Sequence, residues 1–268
     1  MKLGSLFSGI GGFELGLERA IPGLETVWQV EQEPFCQKVL KKHWPKAKIY
    51  DDVRDVNKNN LEPVDILCGG FPCTDISRCW TGEGLDGKKS GLWWEMHRII
   101  GELRPRIAVM ENVPTITFRG LDSVLGSLSE IGYDAEWCVI SAQDFGAPHI
   151  RNRWFCVAYP NRKTRSEDHQ SSDPNNNKIN PGIKSRLEQE RNKKTQFSFI
   201  GGGCSVGGIN KRRSYWERFP IESPLSRRDD GIPNRMVGRR ALGNAIVPQC
   251  SEWIGQQILN SGLLEGVE

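Results

Sequence analysis

Long apolar runs are missing from this chain: nothing in its 268 residues approaches the roughly 18 consecutive apolar residues of a membrane span. No secretory leader is expected either. The chain starts with an ordered-looking apolar segment, Lys2 to Phe13, without a basic start or a small-residue cleavage site. A cytoplasmic protein with no membrane partner is the expectation. The eight cysteines, at 36, 68, 73, 79, 138, 156, 204 and 250, include no CxxC spacing, so no zinc site or dithiol redox pair is assigned. Cys68 and Cys156 lie in apolar runs and read as small buried hydrophobes. Reduced thiols are expected, one of them chemically special. No internal repeat is visible. There is no GxGxxG in its usual register, which leaves a dinucleotide oxidoreductase poorly supported.

Net charge is low as well, at +3, but it is unevenly spread. Residues 161 to 240 carry eighteen Lys+Arg against nine Asp+Glu, a surplus of nine, so the rest of the chain has a net charge of −6. Such asymmetry points to a polyanionic partner. A solvated basic linker fits the count equally well.

What is present is an alternation of short apolar runs with amphipathic segments. Strands are expected at Lys2 to Phe7, Glu25 to Val30, Val64 to Cys68, Arg106 to Met110, Trp137 to Ser141 and Trp154 to Ala158. Helices are expected at Gly12 to Ala20, Pro34 to His43, Ser90 to Glu102, Leu121 to Ile131 and Cys250 to Leu259. Strands separated by helix-length segments predict an α/β fold with a mostly parallel sheet. After Tyr159 the composition turns to Asn, Ser, Lys and Arg, then to a glycine cluster and an aromatic and arginine mixture. This divides the chain into 1–159, a small basic insertion at 160–234, and 235–268 returning to the first part.

The segment Phe7-Ser8-Gly9-Ile10-Gly11-Gly12-Phe13 joins the first strand to the first helix. Glycines at such a turn let backbone approach a ligand, and the helix start offers free N–H groups. The second strand ends at Val30-Glu31, where a carboxylate can accept from both ribose hydroxyls of an adenosine. Asp51-Asp52-Val53-Arg54-Asp55 could face an adenine. Taken singly, Glu31 also fits a plain surface charge.

Asp65 to Ser77 carries the most information. A strand runs into Gly69-Gly70-Phe71-Pro72-Cys73, and Pro72 restricts the backbone just before the thiol. Cys73 is therefore placed on a rigid turn at the strand's carboxyl end, where a nucleophile belongs. Thr81 to Gly91 follows with four glycines and two lysines, a cationic loop able to close over a substrate.

Five motifs now stand in order: Phe-x-Gly-x-Gly-Gly at 7–12, Gly-Gly-Phe-Pro-Cys at 69–73, Glu-Asn-Val at 111–113, Arg-Asn-Arg at 151–153 and Gly-Asn-Ala at 243–245. In these the chain resembles the cytosine-C5 DNA methyltransferase family, in particular its short phage and bacterial members. The resemblance implies a Rossmann-like S-adenosylmethionine-dependent methyltransferase fold with a target-recognition insertion at 160–234. It implies that Cys73 attacks carbon 6 of a cytosine flipped out of double-stranded DNA, and that the methyl group comes from S-adenosylmethionine. Glu111, expected just past its strand, would protonate or hydrogen-bond ring nitrogen 3, with Asn112 and Pro114 shaping its turn. Arg153 would contact the base oxygen and Arg151 a loop or phosphate. Phe7 would pack on the adenine, Ser8, Gly9, Ile10, Gly11 and Gly12 would line the methionine part, and Glu31 would hold the ribose. Gln32, Asp52 and Val53 belong to the adenine side, and Pro72, Asn244 and Ala245 complete the pocket. Gln32 departs from the family, where an aromatic is common. A monomer in the cytoplasm of a bacterium or phage-infected cell is implied, with a cognate restriction endonuclease as a possible companion.

Two other readings stay open on the sequence. One is an RNA cytosine methyltransferase, although the Cys-Phe-Thr signature usual in that branch is absent. The other is an inactive DNA-binding relative, against which intact Cys73, Glu111 and Arg153 argue.

Overall fold

The computed structural model describes residues 1–72, 91–161, 243 and 245–264. Cys73, the loop that follows it, Asn244 and the basic insertion from residue 162 onward lie outside the described residues.

The strands are β1 (Lys2–Leu6), β2 (Glu25–Val30), β3 (Lys48–Tyr50), β4 (Ile66–Gly70), β5 (Ile107–Asn112), β6 (Tyr133–Ser141) and β7 (Asn152–Pro160). The helices are α1 (Gly12–Ala20), α2 (Pro34–His43), α3 (Leu92–Leu103), α4 (Leu121–Glu130) and α5 (Pro248–Asn260). One seven-stranded sheet runs in the order β3-β2-β1-β4-β5-β7-β6. Its first five strands are parallel, and β7 is antiparallel to both β5 and β6. The expected α/β class with a mostly parallel sheet is what the chain adopts.

Parallel strands are stable only with both faces covered, and the apolar side chains divide accordingly. Leu3, Ile66, Ile107 and Val109 meet Phe13 and Leu17 of α1 and Ile254 and Ile258 of α5. Leu6, Leu67, Ala108 and Met110 meet Met96 and Ile100 of α3 and Val124 and Leu128 of α4. Successive residues of a strand point to opposite faces, so each strand feeds both cores. A fully buried Leu or Ile contributes about 2 kcal/mol. The five described cysteines, Cys36, Cys68, Cys138, Cys156 and Cys250, are free and buried.

α5 packs on α1 at near backbone contact. Ser251 Oγ donates to the Gly12 carbonyl at 3.0 Å, and a Cβ on Gly16 would fall 2.0 Å from the same oxygen. Only glycine fits there.

Three expectations need correction. Glu111 is not past its strand but within it, because β5 continues to Asn112 by pairing Glu111 with Phe155 and Asn112 with Trp154 of β7. β6 begins at Tyr133 rather than Trp137, since its pairing with β7 continues through Asp134 and Glu136 at the sheet edge. β3 was not foreseen, being three residues long with little apolar signal. The topology carries the functional consequence. Because β7 runs antiparallel to β5, its first residues lie beside the last residues of β5, at the carboxyl end of β4.

Candidate active site

The turn between β1 and α1 has three residues in the left-handed region: Phe7 at φ 55°, Gly9 at 56° and Gly11 at 86°. For a phenylalanine this is strained backbone. The Ser8 N–H donates to the Val30 carbonyl at 3.1 Å and the Gly11 N–H to the Ser8 carbonyl at 3.0 Å, which fixes the turn. Among the described residues a Cβ on Gly9 would meet nothing within 4 Å, so they leave the space above it open. Gly12 is the opposite case, with the Ile246 carbonyl 2.2 Å from its would-be Cβ. A cleft of about 270 Å³ opens between this turn and the returning segment, lined by Ile10, Gly11, Gly12, His149, Arg151 and Ala245, among others.

Glu31 follows β2 directly. Its Oε2 accepts the Gly9 N–H at 2.7 Å and its Oε1 the Glu33 N–H at 2.8 Å. Asp52 caps the short turn Val53–Asp55 through the Arg54 N–H at 2.9 Å, and Gln32 Nε2 donates to it at 2.7 Å. Gln32 and Asp52 are thus bound to each other beside Glu31. Val53 is buried, and Phe7 is partly buried against the α3 side of the core.

Glu111 sits at the carboxyl end of β5, 9% exposed. Arg153 Nε lies 2.9 Å from its Oε1. Burial pushes the Glu111 carboxyl up to about 7, against the opposing pull of Arg153 and then Arg151. Opposite Glu111 in the sheet stands Gly70 of β4, and a Cβ there would come 2.8 Å from Glu111 Oε2. The carboxyl therefore lies over the backbone three residues before Cys73. Asn112 Nδ2 donates to the Phe71 carbonyl at 2.9 Å, and Asn112 Oδ1 accepts the Val113 N–H at 2.8 Å. One side chain thus ties together the two chain exits. Pro72 is exposed at this edge.

Arg151 and Arg153 do not converge on one partner. Arg153 pairs with Glu111, whereas Arg151 Nη2 donates to the Ala245 carbonyl at 2.7 Å and so clamps the returning segment. Burial is the main cause of a lowered Arg151 pKa, followed by the neighbouring Arg153.

Sequence reasoning missed two features. His149 lines the cleft, with no local pattern to mark it. Glu14 is fully buried and bonded to Gln29. It stands beside Phe13 and Leu17 on the buried side of α1, a placement that its position in the first helical turn does not announce.

Comparison with known proteins agrees with the architecture. The chain is 35% identical over 185 residues to the type II methyltransferase M2.BsuMI of Bacillus subtilis, covering 65% of this chain and 46% of that one. It is 31% identical over 160 residues to M.HhaI of Haemophilus parahaemolyticus, covering 58% and 48%. It thus spans about half the length of the curated relatives it matches. The structure of Dnmt2 methyltransferase from S. pombe aligns over 97% of this chain and 99% of its own at TM-score 0.59 and 14% identity, a likeness of fold. The model of the C-5 cytosine-specific DNA methylase family matches residues 1–212, most of the chain, and takes in the 7–12 turn, Gly70, Glu111 and Arg153 together; the chain belongs to that family.

Proposed function

We propose that this protein is a DNA cytosine-5 methyltransferase that uses S-adenosylmethionine and acts through Cys73. The observation that supports it most is the Glu111 carboxyl, held by Arg153 and lying over Gly70, three residues before the thiol.

The open face at Gly9, the cleft beside Gly11 and Gly12, and the carboxylates of Glu31 and Asp52 fit an amino acid joined to an adenosine. Glu31 would accept from the ribose, and Gln32, Asp52 and Val53 would border the adenine together with Phe7. Ser8 to Gly12, Pro72, Asn244 and Ala245 would enclose the methionine part. S-adenosylmethionine supplies an electrophilic methyl group.

Carbon 5 of cytosine is a poor nucleophile. Addition of the Cys73 thiolate to carbon 6 moves the ring electrons toward carbon 5 and nitrogen 3. Glu111, whose pKa of about 7 leaves a substantial protonated fraction in neutral solution and a larger one below it, donates its hydrogen to nitrogen 3. Arg153 orients Glu111 and faces the base oxygen. Once carbon 5 carries the methyl group, loss of its proton, departure of the Cys73 sulfur and return of the nitrogen 3 hydrogen to Glu111 restore the aromatic ring. The cytosine must leave the duplex to reach the thiol, and residues 160–234, with their surplus of cations, would read the surrounding sequence. A monomer acting alongside a cognate endonuclease in a bacterial or phage-infected cell completes the reading.

The test is bisulfite sequencing of a plasmid from cells expressing the protein, with purified protein assayed on duplex DNA and transfer RNA. Protected cytosines in one sequence context, lost in Cys73→Ser while DNA binding persists, are expected. Label in RNA alone, or full activity in Cys73→Ser, overturns the proposal.

A further inference from the structure

Beneath the Phe7–Gly11 turn lies a polar layer that the proposed chemistry does not use. Ser5 of β1 stands opposite Gln29 of β2 on one side and Cys68 of β4 on the other. Glu14, in the first turn of α1, is set over this row. Ser5, Glu14, Gln29 and Cys68 are all at most 1% exposed. Gln29 Nε2 donates to Glu14 Oε1 at 3.0 Å, and Ser8 Oγ donates to Ser5 Oγ at 2.9 Å.

Two atoms are left over. Glu14 Oε2 and Gln29 Oε1 are buried and have no hydrogen-bond partner among the described residues. They belong to the two members of one pair. If Glu14 were ionised, its charge would be buried with no cation beside it among the described residues, only the Gln29 amide, the Ser5 and Ser8 hydroxyls and backbone would offset it, and Gln29 Oε1 would still lack a donor. The groups acting on the carboxyl are Ser5, Ser8, Gln29 and backbone, and the ionisable groups close to the layer, Glu18 and Cys68, are acidic. A neutral carboxyl carries one hydroxyl donor, and Gln29 Oε1 is the acceptor it lacks. An acid–amide pair closed by two hydrogen bonds satisfies both atoms, and the 3.0 Å bond is its first arm.

We propose that Glu14 is a neutral carboxylic acid paired with Gln29, and that this pair is a positioning element for the cofactor turn. Gln29 precedes Val30, whose carbonyl takes the Ser8 N–H, and stands two residues before Glu31, which takes the Gly9 N–H. Glu14 stands three residues after Gly11, the left-handed residue that opens α1. The pair therefore joins the start of α1 to the end of β2 across the turn. Desolvation acts in the same direction, raising the Glu14 pKa. The positioning half rests on the cofactor assignment proposed above.

Calorimetric binding of S-adenosylmethionine to the full-length wild type and four variants tests it. Glu14→Gln keeps both arms and should bind within about threefold of wild type; Glu14→Leu should weaken binding by about tenfold or more. Gln29→Glu alone sets two acids together and should weaken binding likewise. The exchanged pair Glu14→Gln with Gln29→Glu should recover it, which a loss of packing alone would not predict. Independently of ligand, infrared spectra of the native protein should contain a protonated-carboxyl band that Glu14→Gln removes and Glu111→Gln leaves in place. Wild-type affinity in Glu14→Leu, no recovery in the exchanged pair, or no such band overturns the proposal. A wild type that shows the band yet binds no S-adenosylmethionine overturns the cofactor assignment and the positioning role with it, leaving the acid–amide pair standing.

Discussion

Arg153 Nε lies 2.9 Å from Glu111 Oε1, across the junction of two strands that run in opposite directions. Burial still dominates the carboxyl, and its pKa of about 7 stands above the ordinary 4.5 in spite of the cation. The folded state therefore binds a proton more tightly than the unfolded chain. The associated stability is present in full below about pH 4.5 and is lost as pH rises through about 7, a change of about 3 kcal/mol. Glu111→Gln should flatten this dependence and be the more stable protein in alkaline solution, as urea unfolding across that range would record. The same variant should lose about a hundredfold or more in methyl transfer.

Gly70→Ala separates position from stability. The new Cβ would lie 2.8 Å from Glu111 Oε2, the far end of a side chain that can move, so unfolding should change by less than about 1 kcal/mol. Displacing the carboxyl should nevertheless lower turnover by about tenfold to a hundredfold. Normal turnover would mean that Glu111 need not sit where it does.

Arg151→Met removes the clamp on the Ala245 carbonyl. Loss of a charged hydrogen bond costs about 2 kcal/mol, which lowers the melting temperature by about 4–8 °C in a chain of this size. Binding of S-adenosylmethionine should weaken in the same variant, since the clamp holds one wall of the cleft. Thermal unfolding and calorimetry check the two halves.

Cysteine labelling of the native protein should spare five sites. Cys36, Cys68, Cys138, Cys156 and Cys250 are buried. Burial pushes Cys36 up to about 11 and Cys250 up to about 12, and holds Cys68 well above the usual thiol range. Thiolate is the reactive form, so maleimide near neutral pH followed by mass spectrometry should find these five unmodified until the chain is unfolded. Rapid modification of Cys68 would contradict the packing described.

Much of this was legible in the sequence because the elements are short, apolar and well punctuated. α1 starts at the second of two glycines, and α2 starts on Pro34, where a proline suits the first helical turn. The acidic residues Glu31 after β2 and Glu111 near the end of β5, with the arginines at the start of β7, stood out for their positions at strand ends. What was not legible depends on pairing across the sheet. Glu111 belongs to its strand because Gly70 and Phe155 lie opposite it on either side, and nothing local marks those partners. The separate duties of Arg151 and Arg153 depend on Ala245, distant in sequence. Glu14 was obscured by its composition, since a glutamate in the first turn of a helix reads as a solvated group favoured by the helix dipole.

The bond from Ser251 to the Gly12 carbonyl joins residues 239 positions apart. At about 5–20 residues per second of synthesis, the glycine-rich turn waits on the order of ten seconds or more for its other wall. During that interval the nascent chain has made β1 and α1 but exposes the apolar side of α1 that α5 will cover. A helix made late in synthesis thus completes a turn made at its start, and holding the early half away from aggregation becomes a requirement placed on the translating cell.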